Sequence, residues 1–224
     1  MAGDRIEVGA LLRQTWVVAS AAPVAALGYV AAITALRAYS ELALSASPGA
    51  SFVIGIVDFV AGFILFVAML RAFGLRGDGE GGGFGVYFVV SLLGGLGTLL
   101  GFLLLIVPGV ILMVRWTPGF AVGLSEDVGG TDALTKAWRM TEGQFWPIFA
   151  CLLVGIVPMA VFGVALGGGT ALLGLSDYET PATVVESVVV NAAISAYSAY
   201  STALSIAAYW MLRDEQPGLS EVFA

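Results

Sequence analysis

Histidine is absent from the 224-residue chain, and cysteine occurs once, at Cys151. A single thiol cannot form a disulfide within the chain, and without histidine neither a Cys/His zinc site nor a histidine-based catalytic triad can be built. The sequence therefore predicts no cofactor, no bound metal and no enzymatic activity.

Charged residues are also scarce, at 11% of the chain against roughly a quarter in an average soluble domain. The net charge is −7 and the nine basic residues are scattered, so the sequence predicts no nucleic-acid partner. Hydrophobic residues make up 59% of the chain, in blocks as long as the roughly 20 residues that cross a bilayer. Because the blocks lack the period-two alternation of membrane strands, they predict an all-α integral membrane protein.

The third of the five apolar blocks, residues 85–124, is too long for one span. As a helix its forty residues would extend roughly 60 Å, about twice the thickness of the hydrocarbon core. Pro108-Gly109 interrupts this block and either kinks one span or forms a turn between two. Proline lacks a backbone N–H and glycine tolerates left-handed φ, so the pair suits a turn.

The distribution of basic residues favours the turn. Lys and Arg in short loops accumulate on the cytoplasmic side of a membrane. With a kink, four basic residues lie on each side; with a turn, seven share one side, opposite Arg37, while Arg115 lies within a span. The seven are Arg5, Arg13, Arg71, Arg76, Lys136, Arg139 and Arg213. We therefore predict a six-helix transmembrane bundle with both termini cytoplasmic, its spans covering residues 17–37, 52–70, 85–107, 109–125, 147–168 and 183–212.

Two shorter amphipathic stretches, residues 5–16 and 131–142, precede apolar runs and predict interfacial helices. In the second, Thr131 or Asp132 is the expected N-cap and Gly143 the expected stop. Each stretch leads into two spans, and the resemblance between them suggests a weak internal repeat.

A group of residues in and after the third block forms a pattern of its own: Pro108-Gly109, Glu126, Ala133-Leu134, Ala137-Trp138, Gly143 and Phe145-Trp146. This pattern resembles a broad prokaryotic family, the membrane domain found beside some glycerophosphodiester phosphodiesterases together with the YciC-like membrane proteins. It covers residues 97–155 best, and Ala137 stands where the family usually has serine. The resemblance implies six spans and a mostly unassigned function, because the phosphodiesterase activity of that family belongs to a separate, histidine-containing barrel domain. No catalytic residue is carried over.

Asp58 lies within the second predicted span, where an unpaired carboxylate costs several kcal/mol. Counted from the predicted outer ends of their spans, Asp58 and Arg115 are equally deep, so we expect them to form an ion pair. The pair either pins two helices together or belongs to a substrate or proton path.

The last predicted span carries polar residues at steps of three and four, which places them on one helix face. They are Asn191, Ser195, Ser198, Thr202, Ser205 and Tyr209. This stripe predicts either close helix packing through small residues or a hydrated path, and packing is the favoured interpretation.

Two functions follow from these patterns. The first is a non-enzymatic protein of the cytoplasmic membrane that serves membrane organisation or assembly through lipids, protein partners or a second copy of itself. The alternative is a small transporter with a polar site around Asp58, Arg115 and the stripe.

Overall fold

The computed structural model describes residues 6–43, 47–77, 79–172 and 181–213, and all regular secondary structure in these ranges is helical. The predicted all-α class is confirmed for the described residues. The helices, in chain order, are α1 Val8–Ala21, α2 Pro23–Ala43, α3 Pro48–Ala72, α4 Phe84–Leu104, α5 Ile106–Arg115, α6 Gly119–Ser125, α7 Gly130–Met140, α8 Phe145–Leu172 and α9 Pro181–Arg213.

Four stretches of the described chain are long and apolar enough to cross a membrane. They are α3, α4, the combined stretch of α5 and α6 (Ile106–Ser125), and Phe145–Ala165 of α8. The α1 and α2 pair passes the same test together, so the structure supports a membrane protein with four to five such stretches. α9 is not among the stretches of the described chain that meet this test.

The helix break that the sequence pattern indicates after residue 16 lies farther along the chain. α1 continues through residue 16 to Ala21, the chain bends by 84°, and α2 begins at Pro23. Proline disfavours helical geometry in the residue before it, and Ala22 indeed leaves the helix, with φ −128° and ψ 59°. The break between α1 and α2 therefore lies about one and a half turns after the predicted boundary between 5–16 and 17–37, and the extent of the span itself stays a prediction.

The second short helix is found where it was predicted, as α7, but its cap is different. Gly129 is the N-cap residue, and neither Thr131 nor Asp132 caps the helix with its side chain. Gly143 adopts φ +79° just after the helix, a conformation that glycine tolerates best. One face of α7 is buried, through Ala133, Leu134, Ala137 and Met140. The suggested repeat of α1–α3 in α7–α9 stays a prediction.

The third apolar block does reverse direction, but three residues before the predicted turn. Leu105 alone leaves the helical region, with φ −163° and ψ 144°, and Pro108-Gly109 lies inside α5. Pro108 is the third residue of α5, where its missing N–H costs no helical hydrogen bond.

α4 and α5 form a closely packed helical hairpin, and glycine serves this packing rather than the turn. A Cβ atom built on Gly101 would lie 2.8 Å from the Cα of Gly109, and one on Gly97 would lie 2.5 Å from the Trp116 ring. Small residues at such crossings let helices approach, which is the main way that helices associate in a membrane.

α9 lies at the centre of the bundle. It packs against α1, α2, α3, α6, α7 and α8. Its second half is almost completely buried, from Ala203 to Tyr209. By contrast, the outer part of the α4–α5 hairpin contacts only a few helices and leaves a cleft between itself and α9.

Candidate functional site

Asp58 forms its ion pair with Arg37 of the preceding helix α2, and not with Arg115. The Arg37 guanidinium contacts Oδ2 of Asp58, and the Tyr29 hydroxyl donates to Oδ1 at 2.8 Å. The two charged side chains are 28% (Arg37) and 19% (Asp58) exposed, so the pair is largely shielded. The predicted pair of Asp58 and Arg115 is therefore wrong.

Arg115 is held elsewhere because α5 packs beside α4 and α8, whereas α3 packs beside α2 and α9. Its Nη1 donates to the backbone oxygen of Trp138 at 3.3 Å, and its guanidinium carbon lies 5.1 Å from the centre of the Trp138 ring. The prediction compared how far Asp58 and Arg115 lie from the ends of their spans, and this distance does not show which helices are in contact. The sequence did hold a signal for the true partner. Arg37 lies six residues before the end of α2 and Asp58 ten residues after the start of α3, so both lie on consecutive helices near the connection between them.

A cavity of about 770 Å³ lies beside Asp58, between α3, the α4–α5 hairpin and α9. Its polar lining consists of Tyr29, Asp58, Tyr87, Ser91, Thr98, Thr117, Tyr197, Ser198, Ser201, Thr202 and Ser205. Its aromatic lining includes Phe59, Phe66, Phe102, Trp116 and Phe120. The volume lies in the range of small-molecule sites, roughly 300–1,000 Å³, and the mixture of apolar walls with a few polar groups is typical of them.

The predicted polar stripe of α9 divides between this cavity and the packed interior. Ser198 and Thr202 line the cavity, together with Ser201 and Ser205. Asn191 and Ser195 do not line it. Asn191 Nδ2 donates to Glu41 of α2 at 2.9 Å, and Ser195 is buried without a hydrogen-bond partner among the described residues.

Four of the ten hydroxyls that line the cavity donate their hydrogen to a backbone oxygen three or four residues earlier in the chain. Ser198 donates to the Ile194 oxygen at 3.1 Å, Ser201 and Thr202 both donate to the Ser198 oxygen, and Thr117 donates to Met113. A hydroxyl whose hydrogen is used in this way can still accept. These groups therefore offer oxygen acceptors to the cavity.

Ser205 combines burial with the lack of a hydrogen-bond partner. It is 4% exposed, lines the cavity, and its Oγ has no hydrogen-bond partner among the described residues. An unpartnered buried polar atom is costly, so it points to a bound water or ligand.

A second carboxylate closes the other end of the stripe. Glu126, just after α6, accepts from the Tyr209 hydroxyl at 2.8 Å and from Lys136 Nζ at 2.6 Å. The stripe thus reaches a carboxylate at both ends, Glu41 near Asn191 and Glu126 at Tyr209, with Asp58 between them across the cavity.

Two further features lie outside this cavity. An apolar groove of about 390 Å³ runs between α1, α2 and α9, lined by Trp16, Leu27 and Val30 among others. In the segment between α3 and α4, burial and the neighbouring charge of Arg71 lower the pKa of Arg76.

Within the part of the chain that the structure describes, no three acidic or thiol side chains are grouped closely enough to hold a metal ion.

The comparisons with known proteins add no relative. No family model matches the chain, and neither the curated proteins nor the solved structures give a match. The resemblance to the YciC-like family therefore stays a prediction.

Proposed function

We propose that the chain is a non-enzymatic, multi-pass protein of the cytoplasmic membrane that binds a small solute in the cavity beside Asp58 and passes it across the bilayer. One observation carries the proposal: the Asp58 carboxylate and five α9 hydroxyls, which the sequence leaves far apart, line the same cavity. Ionisable groups within membrane helices are costly, and where they occur they commonly mark substrate or ion paths.

The topology belongs to the same proposal. Six spans with both termini in the cytoplasm put seven of the nine basic residues on one side, as the positive-inside rule favours. α9 would be the sixth span in spite of its polar stripe, because its central position shields that stripe from lipid. The path would then lead from Glu41, past Asp58 and the α9 hydroxyls, to Glu126.

Exchange of labelled solutes tests the transport function. The protein is reconstituted into liposomes with equal solute inside and outside, and exchange of labelled tetramethylammonium, betaine, glutamate and glycerol is measured. We expect exchange of at least one of them to exceed that of protein-free liposomes and to fall in Thr202→Val, which removes a cavity oxygen without changing side-chain shape. Asp127→Asn, an exposed change outside the cavity, is the matched control. Exchange at the protein-free rate for all four solutes would overturn the transporter.

A second function, membrane organisation through lipid partners, is favoured by a different observation. The tip of the hairpin is a run of exposed apolar side chains from Leu103 to Val107, and the groove near Trp16 is almost entirely apolar. Both surfaces suit acyl chains. Purification in a mild detergent followed by lipid analysis tests this function, which requires retained lipid that is lost when Trp16 and Leu27 are changed to serine.

A further inference from the structure

The cavity lining combines a carboxylate, aromatic faces and hydroxyls, four of which have no hydrogen left to donate to a ligand. Ser198, Ser201, Thr202 and Thr117 have already donated their hydrogens to backbone oxygens, and Asp58 can only accept while it is ionised. No basic side chain is among the described residues that line the cavity. The electrostatic character of this lining is therefore that of a cation site.

The aromatic rings around Asp58 add to the same preference. Phe59 and Tyr87 lie 4.9 Å apart between ring centres, and the Tyr87 hydroxyl lies 3.0 Å from where a Cβ on Gly62 would be, one helical turn after Asp58. Phe66 and Phe120 continue this wall, with their ring centres 5.9 Å apart. Aromatic faces attract cations, and most strongly where water is excluded.

Arg37 already occupies one oxygen of the carboxylate, yet it does not itself line the cavity. Asp58 does line it, so the carboxylate stands between a protein cation on one side and the cavity on the other. A buried carboxylate that loses its cation without a replacement is strongly destabilised. An incoming cation that takes the place of Arg37 avoids this cost.

We infer that the cavity binds an organic ammonium ion, with Asp58 as its counter-ion, and that Arg37 is the cation that Asp58 holds when the cavity is empty. This inference rests on the proposed solute-binding function and specifies its substrate class. The ammonium N–H groups donate to Asp58 and to hydroxyl oxygens of α9, while its apolar part contacts the aromatic wall. Ser205, about two helical turns along α9 from Ser198, gains a partner from a polar group at the far end of the ligand or from a water that the ligand orders.

Three probes of nearly equal size test the assignment. Binding of 2-phenylethylammonium, 2-phenylethanol and 3-phenylpropanoate is measured by titration calorimetry on the protein in lipid nanodiscs, with empty nanodiscs subtracted. We expect the ammonium to bind about tenfold tighter than the other two. Asp58→Asn weakens ammonium binding about tenfold, because it removes the counter-ion charge.

Arg37→Gln tests whether the ammonium ion replaces Arg37 at Asp58 or is only attracted by the charge of Asp58. If Arg37 competes for Asp58, the variant binds the ammonium several-fold tighter than the wild type, whereas unchanged or weaker binding overturns its role as a competing cation. Asp127→Asn, which is exposed and outside the cavity, is expected to bind as the wild type does. If Asp58→Asn does not fold, Thr202→Val replaces it, with an expected loss of a few-fold.

The outcomes distinguish the ammonium assignment from the proposed solute-binding function on which it rests. Binding of the alcohol or the carboxylate as tightly as the ammonium overturns the ammonium assignment and leaves the solute site standing. No binding of any probe, together with exchange of labelled glutamate or glycerol but not of tetramethylammonium or betaine, also overturns the assignment alone. No binding and no exchange overturn both.

Discussion

A carboxylate inside a membrane helix is stable only with a partner, and Asp58 has two. Arg37 supplies the opposite charge and Tyr29 a hydroxyl hydrogen, so both carboxylate oxygens are satisfied. Arg115, by contrast, contacts a backbone oxygen and a tryptophan ring, and no carboxylate among the described residues pairs with it. Loss of Arg37 would therefore leave Asp58 without its cation, whereas loss of Arg115 would leave no carboxylate among the described residues unpaired.

Arg37→Gln should destabilise the protein by about 2 kcal/mol, because it leaves a largely buried carboxylate without its cation. Arg115→Gln should cost less than about 1 kcal/mol, since it strands no charge. Thermal unfolding in detergent measures both, and the double variant Arg37→Gln/Asp58→Asn should recover part of the loss. An equal effect of the two arginine variants would contradict the observed pairing.

Tyr209 joins the central helix to Glu126 through its hydroxyl. Tyr209→Phe should lower stability by about 1–2 kcal/mol, because the carboxylate loses one of its two donors. Tyr39 is 60% exposed, so Tyr39→Phe is the matched control and should be neutral. A neutral Tyr209→Phe would mean that water replaces the hydroxyl at Glu126.

At the scale of the helices, the close approach of α4 and α5 is decided by two glycines. Gly101 faces the backbone of Gly109, whereas a methyl group added at Gly85 of the same helix α4 would have no atom within 4 Å. Alanine substitution at each of these two positions therefore tests whether the glycine is required by the close approach of the helices.

Gly101→Ala should destabilise the hairpin by about 1–3 kcal/mol, because the added methyl group meets backbone that cannot rotate away. Gly85→Ala should be neutral or stabilising by up to about 1 kcal/mol, since alanine favours helix over glycine. Chemical denaturation in detergent compares the two. Equal effects would show that α4 and α5 do not approach as closely as described.

The helices themselves could be predicted from the sequence, but their exact ends and neighbours could not. Long apolar runs report that a segment is buried in lipid or protein, and Pro23 explains where α2 begins. Leu105 carries no turn signal, because any residue can adopt its extended conformation, so the sequence pattern indicates a turn at Pro108-Gly109 instead.

Pro108 lies in the first turn of α5 and does not form the turn of the hairpin. Pro108→Ala should therefore change the free energy of unfolding by less than about 1 kcal/mol, measured in the same denaturation experiment as Gly101→Ala.

At the scale of the whole molecule, the site depends on contacts that no local pattern encodes. The carboxylate and the α9 stripe were both found from the sequence, because ionisable and periodic polar residues stand out in apolar helices. The sequence raised a joint site only as an alternative, because placing both in one cavity requires knowing that α3 and α9 are neighbours while the α4–α5 hairpin stands apart. The aromatic wall was missed for the same reason.

The proposed topology predicts which side of the membrane two single cysteines face. In a Cys151→Ala background, Ser47→Cys before α3 should react with a membrane-impermeant maleimide from outside, and Glu142→Cys after α7 only from inside. Both positions are exposed, whereas Cys151 is buried, so its replacement removes little background. Reaction of both positions from the same side would contradict the six-span arrangement.

The tip of the α4–α5 hairpin has a consequence for the bilayer in which the protein can work. Five consecutive apolar side chains, from Leu103 to Val107, are each at least 67% exposed. α4 has 21 residues, or roughly 31 Å of helix, close to the average hydrocarbon thickness of about 30 Å. In a thinner membrane these side chains would protrude into water unless the hairpin tilted, closing or widening the cleft beside α9. Lipid chain length would then act on the cavity from a distance, as a mechanical control on solute entry.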